Sequence, residues 1–205
     1  LSPSRIARYF YHECDRYLRY HATPREKRET EGVPHIEWDT SPVTRAMLEA
    51  GFRWEEEVIT SHLKGKAKIA ISRGKGAISE RSHTYEETIE LLRNIKPGEA
   101  IYQATLNIPE RFYQRFDINQ SLCNFPQCRP DLLWMVPTGS KPQLRVIDIK
   151  ASTALKTSHR IQATLYTIMI QEILKENRIN LDLDTENAGI WLSNMKEPEW
   201  FDQRI

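Results

Sequence analysis

The stretch Val146-Ile147-Asp148-Ile149-Lys150 sets an acid inside an apolar, strand-forming run and an amine two residues further on. A charge in such a run is costly unless it is paired or bound to metal. Alternation along a strand puts Asp148 and Lys150 on one face. A second acid, Asp131, follows Arg129-Pro130 and opens the apolar run Leu132-Leu133-Trp134. Carboxylates and a main-chain carbonyl are the hard oxygen ligands that magnesium or manganese prefers. A lysine beside them suits stabilisation of a phosphorane-like transition state and the positioning or deprotonation of water. An isolated Asp-x-Lys is nevertheless common by chance and is usually an ordinary strand-end ion pair, so the tripeptide alone identifies nothing.

Other polar residues carry weaker signals. Gln162 and Tyr166 are four apart and share one face of a predicted helix, where a partly buried polar flank is the plain alternative to a binding role. His159 opens that same helix and stands where it could approach a bound phosphate. The other histidines, His12, His21, His35, His62 and His83, show no ligand spacing among themselves. Cys123 and Cys128 form a C-x4-C pair, which alone is poor grounds for zinc.

The elements that must position these residues follow from caps and periodicity. Ser2-Pro3-Ser4 starts a helix whose apolar positions Ile6, Tyr9, Phe10, Tyr17 and Leu18 run to Tyr20. Residues 22–40 read as loop. Thr40-Ser41-Pro42 starts a second helix, traced by Met47, Leu48, Phe52, Glu55, Ile59 and Leu63 and stopped at Gly65. Residues 68–72 suit a short strand and 72–76 a basic glycine-bearing loop. A helix over 83–94 carries Thr84 and Glu87 at capping-box spacing. Strands are predicted over 100–106, 131–136 and 144–149, a long helix over 155–175, and a last strand over 188–192. Three successive strands with short connections favour antiparallel pairing, and the helix after them allows a crossover into a parallel strand. The expectation is an α/β fold, a mixed β-sheet flanked by helices.

The 205 residues suit one domain. A hydrophobic share of 40% and a charged share of 28% describe a globular chain, neither disordered nor disulfide-rich. No apolar run approaches a bilayer span and no secretory signal is visible, so a cytoplasmic protein without a membrane partner is expected. Three cysteines, an odd number, argue against a disulfide framework. The formal net charge of +1 leaves a nucleic-acid partner open. Positive charge clusters in two places: Arg5, Arg8, Arg16, Arg19, Arg25, Lys27 and Arg28, then Lys64, Lys66, Lys68, Arg73 and Lys75. Each is either a solvated face or a polyanion contact. The chain starts at Leu1 without methionine and ends at Ile205 soon after a strand-like run, and a fragment of a longer protein is expected.

Taken in order, the motifs are Ser2-Pro3-Ser4-Arg5 with Tyr9 and Cys14, Gly51-x-x-Trp54-Glu55, Pro130-Asp131, Asp148-x-Lys150 and Gln162-x-x-x-Tyr166. Individually weak, in this order they resemble the RecB-like branch of the PD-(D/E)xK nuclease superfamily, from Leu1 to about Leu192. The resemblance implies a restriction-endonuclease-like core over residues 41–205, preceded by an N-terminal helix and loop over 1–40. It implies a DNA nuclease dependent on Mg2+ or Mn2+, with Glu55, Asp131 and Asp148 as metal ligands, the Ile149 carbonyl as a further ligand, and Lys150 as the catalytic lysine. Gln162 and Tyr166 match a helical motif beside the active site that contacts DNA, single- or double-stranded. Relatives place a histidine before the helix acid; Trp54 stands here instead, implying a simpler metal shell. Glu56 and Glu57 compete with Glu55 for the ligand position, and Glu55 fits the glycine spacing best.

The resemblance also makes Cys14 a candidate ligand of a [4Fe–4S] cluster. The other three cysteines of such a cluster would lie beyond this chain, and a buried ordinary thiol is the alternative. A helicase or another domain of the same protein is the implied partner, and DNA repair, recombination or defence the implied setting. Two rival readings are an inactive nuclease fold that only binds DNA and a scaffolding module of a larger complex.

Overall fold

The computed structural model describes residues 1–35, 39–70, 81–137 and 141–204. Its centre is one mixed six-stranded sheet in the order β1-β2-β3-β4-β5-β6, formed by Ala67–Lys68, Ala100–Tyr102, Leu132–Val136, Gln143–Lys150, Asn187–Leu192 and Glu199–Asp202. The expected antiparallel run is present: β2 pairs with β3 and β3 with β4, in the register Leu132↔Ile147. The expected crossover is also present, since β4 and β5 are parallel and a 20-residue helix lies between them. The chain is an α/β protein with helices on both faces of a mixed sheet.

Among the described residues the α-helices α1 to α6 span Pro3–His12, Asp15–Ala22, Pro42–Glu57, Tyr85–Asn94, Glu110–Arg115 and Thr157–Glu176. Alternation along the strands divides the core in two. Leu133, Met135, Leu144, Val146, Ala188 and Ile190 pack with residues of α4, α5 and α6, and α1 lies along α6. Leu132, Ile147, Ile149 and Trp191 face the other way, against Trp54, Val58, Ile59 and Leu63 of α3 and its extension. Burying each of those side chains contributes about 1.5–3 kcal/mol, and this fixes α3 across the sheet. After Glu57 the helix widens into a π-helical turn, Val58–His62, closed by the Leu63 N–H on the Val58 carbonyl at 2.9 Å. Gly65, in the left-handed region at φ 72°, ends it as its sequence position suggests.

The local capping signals are in place. The Ser2 and Ser41 hydroxyls accept from Arg5 N and Thr44 N, and Thr84 with Glu87 forms the reciprocal capping box. Other expectations need correction. The first helix is two: Glu13 turns left-handed at φ 48°, its N–H caps the Tyr9 carbonyl, and the Tyr9 hydroxyl donates to Asp15 at 3.0 Å across the break. The strand expected over 100–106 stops at Tyr102, because Gln103 adopts φ 52°. The connection from β2 to β3 is not short. It makes an excursion containing α5, pinned by a bridge between Leu106 and Cys128, with Leu106, Phe112, Tyr113 and Phe125 packed into the α6-side core. Edge strand β6 was not expected. The end of the strand expected over 68–72, the loop over 72–76, and Arg73 and Lys75 lie outside the described residues. Among the described residues no helix is long and apolar enough to cross a membrane.

Candidate functional site

The ends of three strands meet at one end of the sheet. Antiparallel pairing sets the start of β3 beside the end of β4, and Tyr102 at the end of β2 pairs with Leu132. Asp131 therefore sits at the mouth of β3 next to Asp148 and Lys150. By alternation Asp148 and Lys150 face the α6 side, and Gln162 from the second turn of α6 reaches them. Glu55 comes from α3 on the opposite face and arrives at the same end of the sheet, where its charge bears on Asp131 and Lys150. The packing of Trp54 sets it there. That indole is buried, with its Nε1–H on the Trp191 carbonyl at 3.1 Å, so Trp54 belongs to the core. Glu56 and Glu57 are exposed, leaving Glu55 as the helix acid that enters the cluster.

Each acid is anchored through one oxygen. Glu55 Oε2 accepts from the Tyr102 hydroxyl at 2.7 Å and from the Gln103 amide at 3.5 Å. Asp131 Oδ2 accepts the Ile149 N–H at 2.7 Å. Asp148 Oδ1 accepts from Gln162 Nε2 at 3.1 Å. Lys150 Nζ lies 2.6 Å from Asp148 Oδ2 and 3.9 Å from Asp131 Oδ2. The Lys150 ammonium is therefore the partner of the buried Asp148 Oδ2, which has no other among the described residues. A carboxylate so buried depends on that pairing.

Three carboxylates around one ammonium leave a surplus of negative charge. Burial, and after it the neighbouring Asp131 charge, pushes the Glu55 carboxyl up to about 7 against the pull of Tyr102, Lys150 and Gln103. Burial also holds Asp148 well above the carboxylate range, opposed by Lys150 and reinforced by Asp131. For Lys150, burial works against its charge, but Asp148, Asp131 and Glu55 outweigh it and hold the ammonium above its ordinary value. The direction for the cluster is that Lys150 stays charged while Glu55 and Asp148 hold their protons more tightly than free carboxyls do.

Among the described residues no three His, Cys, Asp or Glu side chains already stand as a cage for a metal ion. The donor set nevertheless fits a hard divalent cation: the carboxylate oxygens of three acids, each fixed by a neutral donor through one atom, facing a single lysine among the described residues.

Around this cluster, Tyr166 is buried, and burial first, then the Asp131 and Asp148 charges, raise its hydroxyl above the ordinary value while the Gln162 amide opposes them. His159 is kept neutral: burial, then the Lys150 and Lys156 charges, depress it to about 4, and its Nδ1 accepts the Lys156 N–H at 3.4 Å. Tyr102 and Gln103 are the residues that sequence reasoning missed. Tyr102 reads as one more apolar strand position, and no periodicity marks its hydroxyl as the support of Glu55.

The cysteines stand apart. Cys14 is exposed at the junction of α1 and α2, which corrects its reading as a buried core thiol. Cys128 is buried and its thiol is pushed up to about 11, by burial above all. No family model, curated protein or solved structure matches this chain.

Proposed function

We propose that this chain is a divalent-metal-dependent deoxyribonuclease with a restriction-endonuclease-like core of the RecB-like kind. The observation that carries the reading is the arrival of Glu55, Asp131, Asp148 and Lys150, from a helix and two strands on both sides of the sheet, at one strand-end site. Their sequence separation makes a chance ion pair a poor account, because each acid is separately anchored and one of them is buried against its own solvation.

Glu55, Asp131 and Asp148, with the Ile149 carbonyl, are the groups that would hold Mg2+ or Mn2+. A bound divalent ion supplies Lewis acidity toward a phosphoryl oxygen. The protein's own groups do the rest. Tyr102 and the Ile149 N–H fix Glu55 and Asp131 before substrate arrives, which removes a reorganisation cost from the reaction. Gln162 holds Asp148, and Tyr166 backs that helix face, so both position the acids whether or not they also touch DNA. Lys150 brings a permanent positive charge to the place where charge develops on the scissile phosphate and orients the attacking water through its N–H groups. His159, neutral at pH 7, adds no second charge that would compete with Lys150.

The reading is tested by incubating the protein with end-labelled linear and closed circular DNA in manganese or in chelator. Cleavage in manganese alone is expected. Binding without cleavage in either condition would favour an inactive DNA-binding fold, and neither binding nor cleavage would favour a scaffold.

A further inference from the structure

We propose that the helical layer formed by α1 and α2 is a binding surface for the phosphate backbone of nucleic acid. Residues 1–28 hold seven Lys and Arg against three Asp and Glu, although the whole chain is only +1, so the remainder of the molecule is net acidic. Arg5, Arg8, Arg16, Arg19 and Arg25 are exposed, and none of the seven cations joins an ion pair among the described residues. One of the three nearby acids is already occupied, since Asp15 accepts from the Tyr9 hydroxyl. Elsewhere, Arg111, Arg115, Arg145, Lys175 and Arg204 are each held by a carboxylate.

The cations also act together in space. The His21 imidazole is lowered by burial and then by the combined charges of Arg5, Arg28 and Arg8 with the N-terminal amine, from α1, from the segment after α2 and from the chain start. Arg28 is fixed there by its Nε–H on the Thr23 carbonyl at 3.2 Å. An array of unpaired guanidinium groups on a rigid helical layer is the electrostatic footprint of polyanion binding, and guanidinium forks suit phosphate oxygens. Its position gives the partner. α1 lies along α6, the helix whose first turns carry Gln162 and His159 to the strand-end site, so the basic layer packs on the element that bears part of that site. The choice of nucleic acid among polyanions rests on the nuclease reading; the surface itself does not.

The test is fluorescence anisotropy of a labelled oligonucleotide in chelator, where no cleavage occurs, over a series of salt concentrations. Arg5→Glu/Arg8→Glu is expected to weaken binding at least tenfold (roughly) and to flatten the salt dependence by about two in log–log slope, one released counterion per lost phosphate contact. Lys64→Glu/Lys66→Glu reverses two exposed charges outside this layer and is expected to lose far less. Should the first variant melt early, Arg16→Glu/Arg19→Glu on α2 replaces it. Native-like binding by the α1 and α2 variants overturns the surface, as does equal loss in the Lys64/Lys66 variant or no binding by the native protein. Native protein that binds in chelator but never cuts in manganese sinks the nuclease reading and leaves the surface standing.

Discussion

Among the described residues Lys150 is the one cation ion-paired with Asp131 and Asp148, and it cannot neutralise them and Glu55 together. Asp131→Ala, Asp148→Ala and Lys150→Ala are each expected to cut DNA cleavage by about 10³-fold or more, the scale of losing a preorganised electrostatic group. Gln162→Ala removes only the support of one Asp148 oxygen. It should lose less activity than Lys150→Ala and still bind manganese, as calorimetric titration of both variants will show. Loss of metal binding in Gln162→Ala would contradict that ordering. The Glu55 carboxyl, pushed up to about 7, gives a pH signature. Because its folded value lies above the unfolded one, the native state holds that proton more tightly. Its contribution is full below about 4.5 and is lost as pH rises through about 7. Glu55→Gln keeps the shape without the charge. In chelator it is expected to match the native protein near pH 4.5 and to exceed it by about 1–3 kcal/mol at pH 8. Urea unfolding at the two pH values decides this, and a pH-independent gap would count against the assignment.

Elements place these residues, and two glycines test how tightly. A Cβ on Gly189 of β5 would lie 2.9 Å from Trp200 Cζ3 and 3.1 Å from Pro198 Cβ, because Trp200 is its cross-strand partner on β6 and its ring lies over the glycine. Gly189→Ala should therefore destabilise by about 1–3 kcal/mol through overpacking. Gly51, inside α3, has nothing within 4 Å of such a Cβ, so Gly51→Ala should stabilise by about 0.5–1 kcal/mol through helix propensity. Thermal melts of the pair should move in opposite directions; the same sign in both would refute the packing described. The contrast also marks what the sequence could tell. Helix starts were legible because Ser41-Pro42 and Thr84 with Glu87 are local chemistry, and β3, β4 and β5 because their apolar runs are long. The break at Gln103 and the left-handed Glu13 were not, since neither Gln nor Glu is a residue type that marks a positive φ. β6 escaped because Glu-Trp-Phe-Asp becomes a strand only where the edge of β5 is there to pair with. Asp148, Lys150 and Asp131 were legible as charges in or beside apolar runs, Glu55 only through the resemblance, and Tyr102 not at all, because its hydroxyl matters only once α3 packs across β2.

At the scale of the whole molecule, α3 and α6 pack on opposite faces of the sheet and each delivers one polar side chain to the same strand termini. Metal should tie these layers together. Manganese is expected to raise the melting temperature of the native protein, by an amount equivalent to about 2.7 kcal/mol at a hundredfold excess over its dissociation constant. Asp131→Asn should lose that response, and an equal rise in both would place the ion elsewhere. The most direct test of the central claim is the initial rate at which end-labelled DNA is cut in saturating manganese by the native protein and by Lys150→Ala. The account predicts manganese-dependent cleavage by the native protein and a rate lower by about 10³-fold or more in the variant, with metal binding intact. Equal rates in the two proteins, or native cleavage that persists undiminished in chelator, would contradict it.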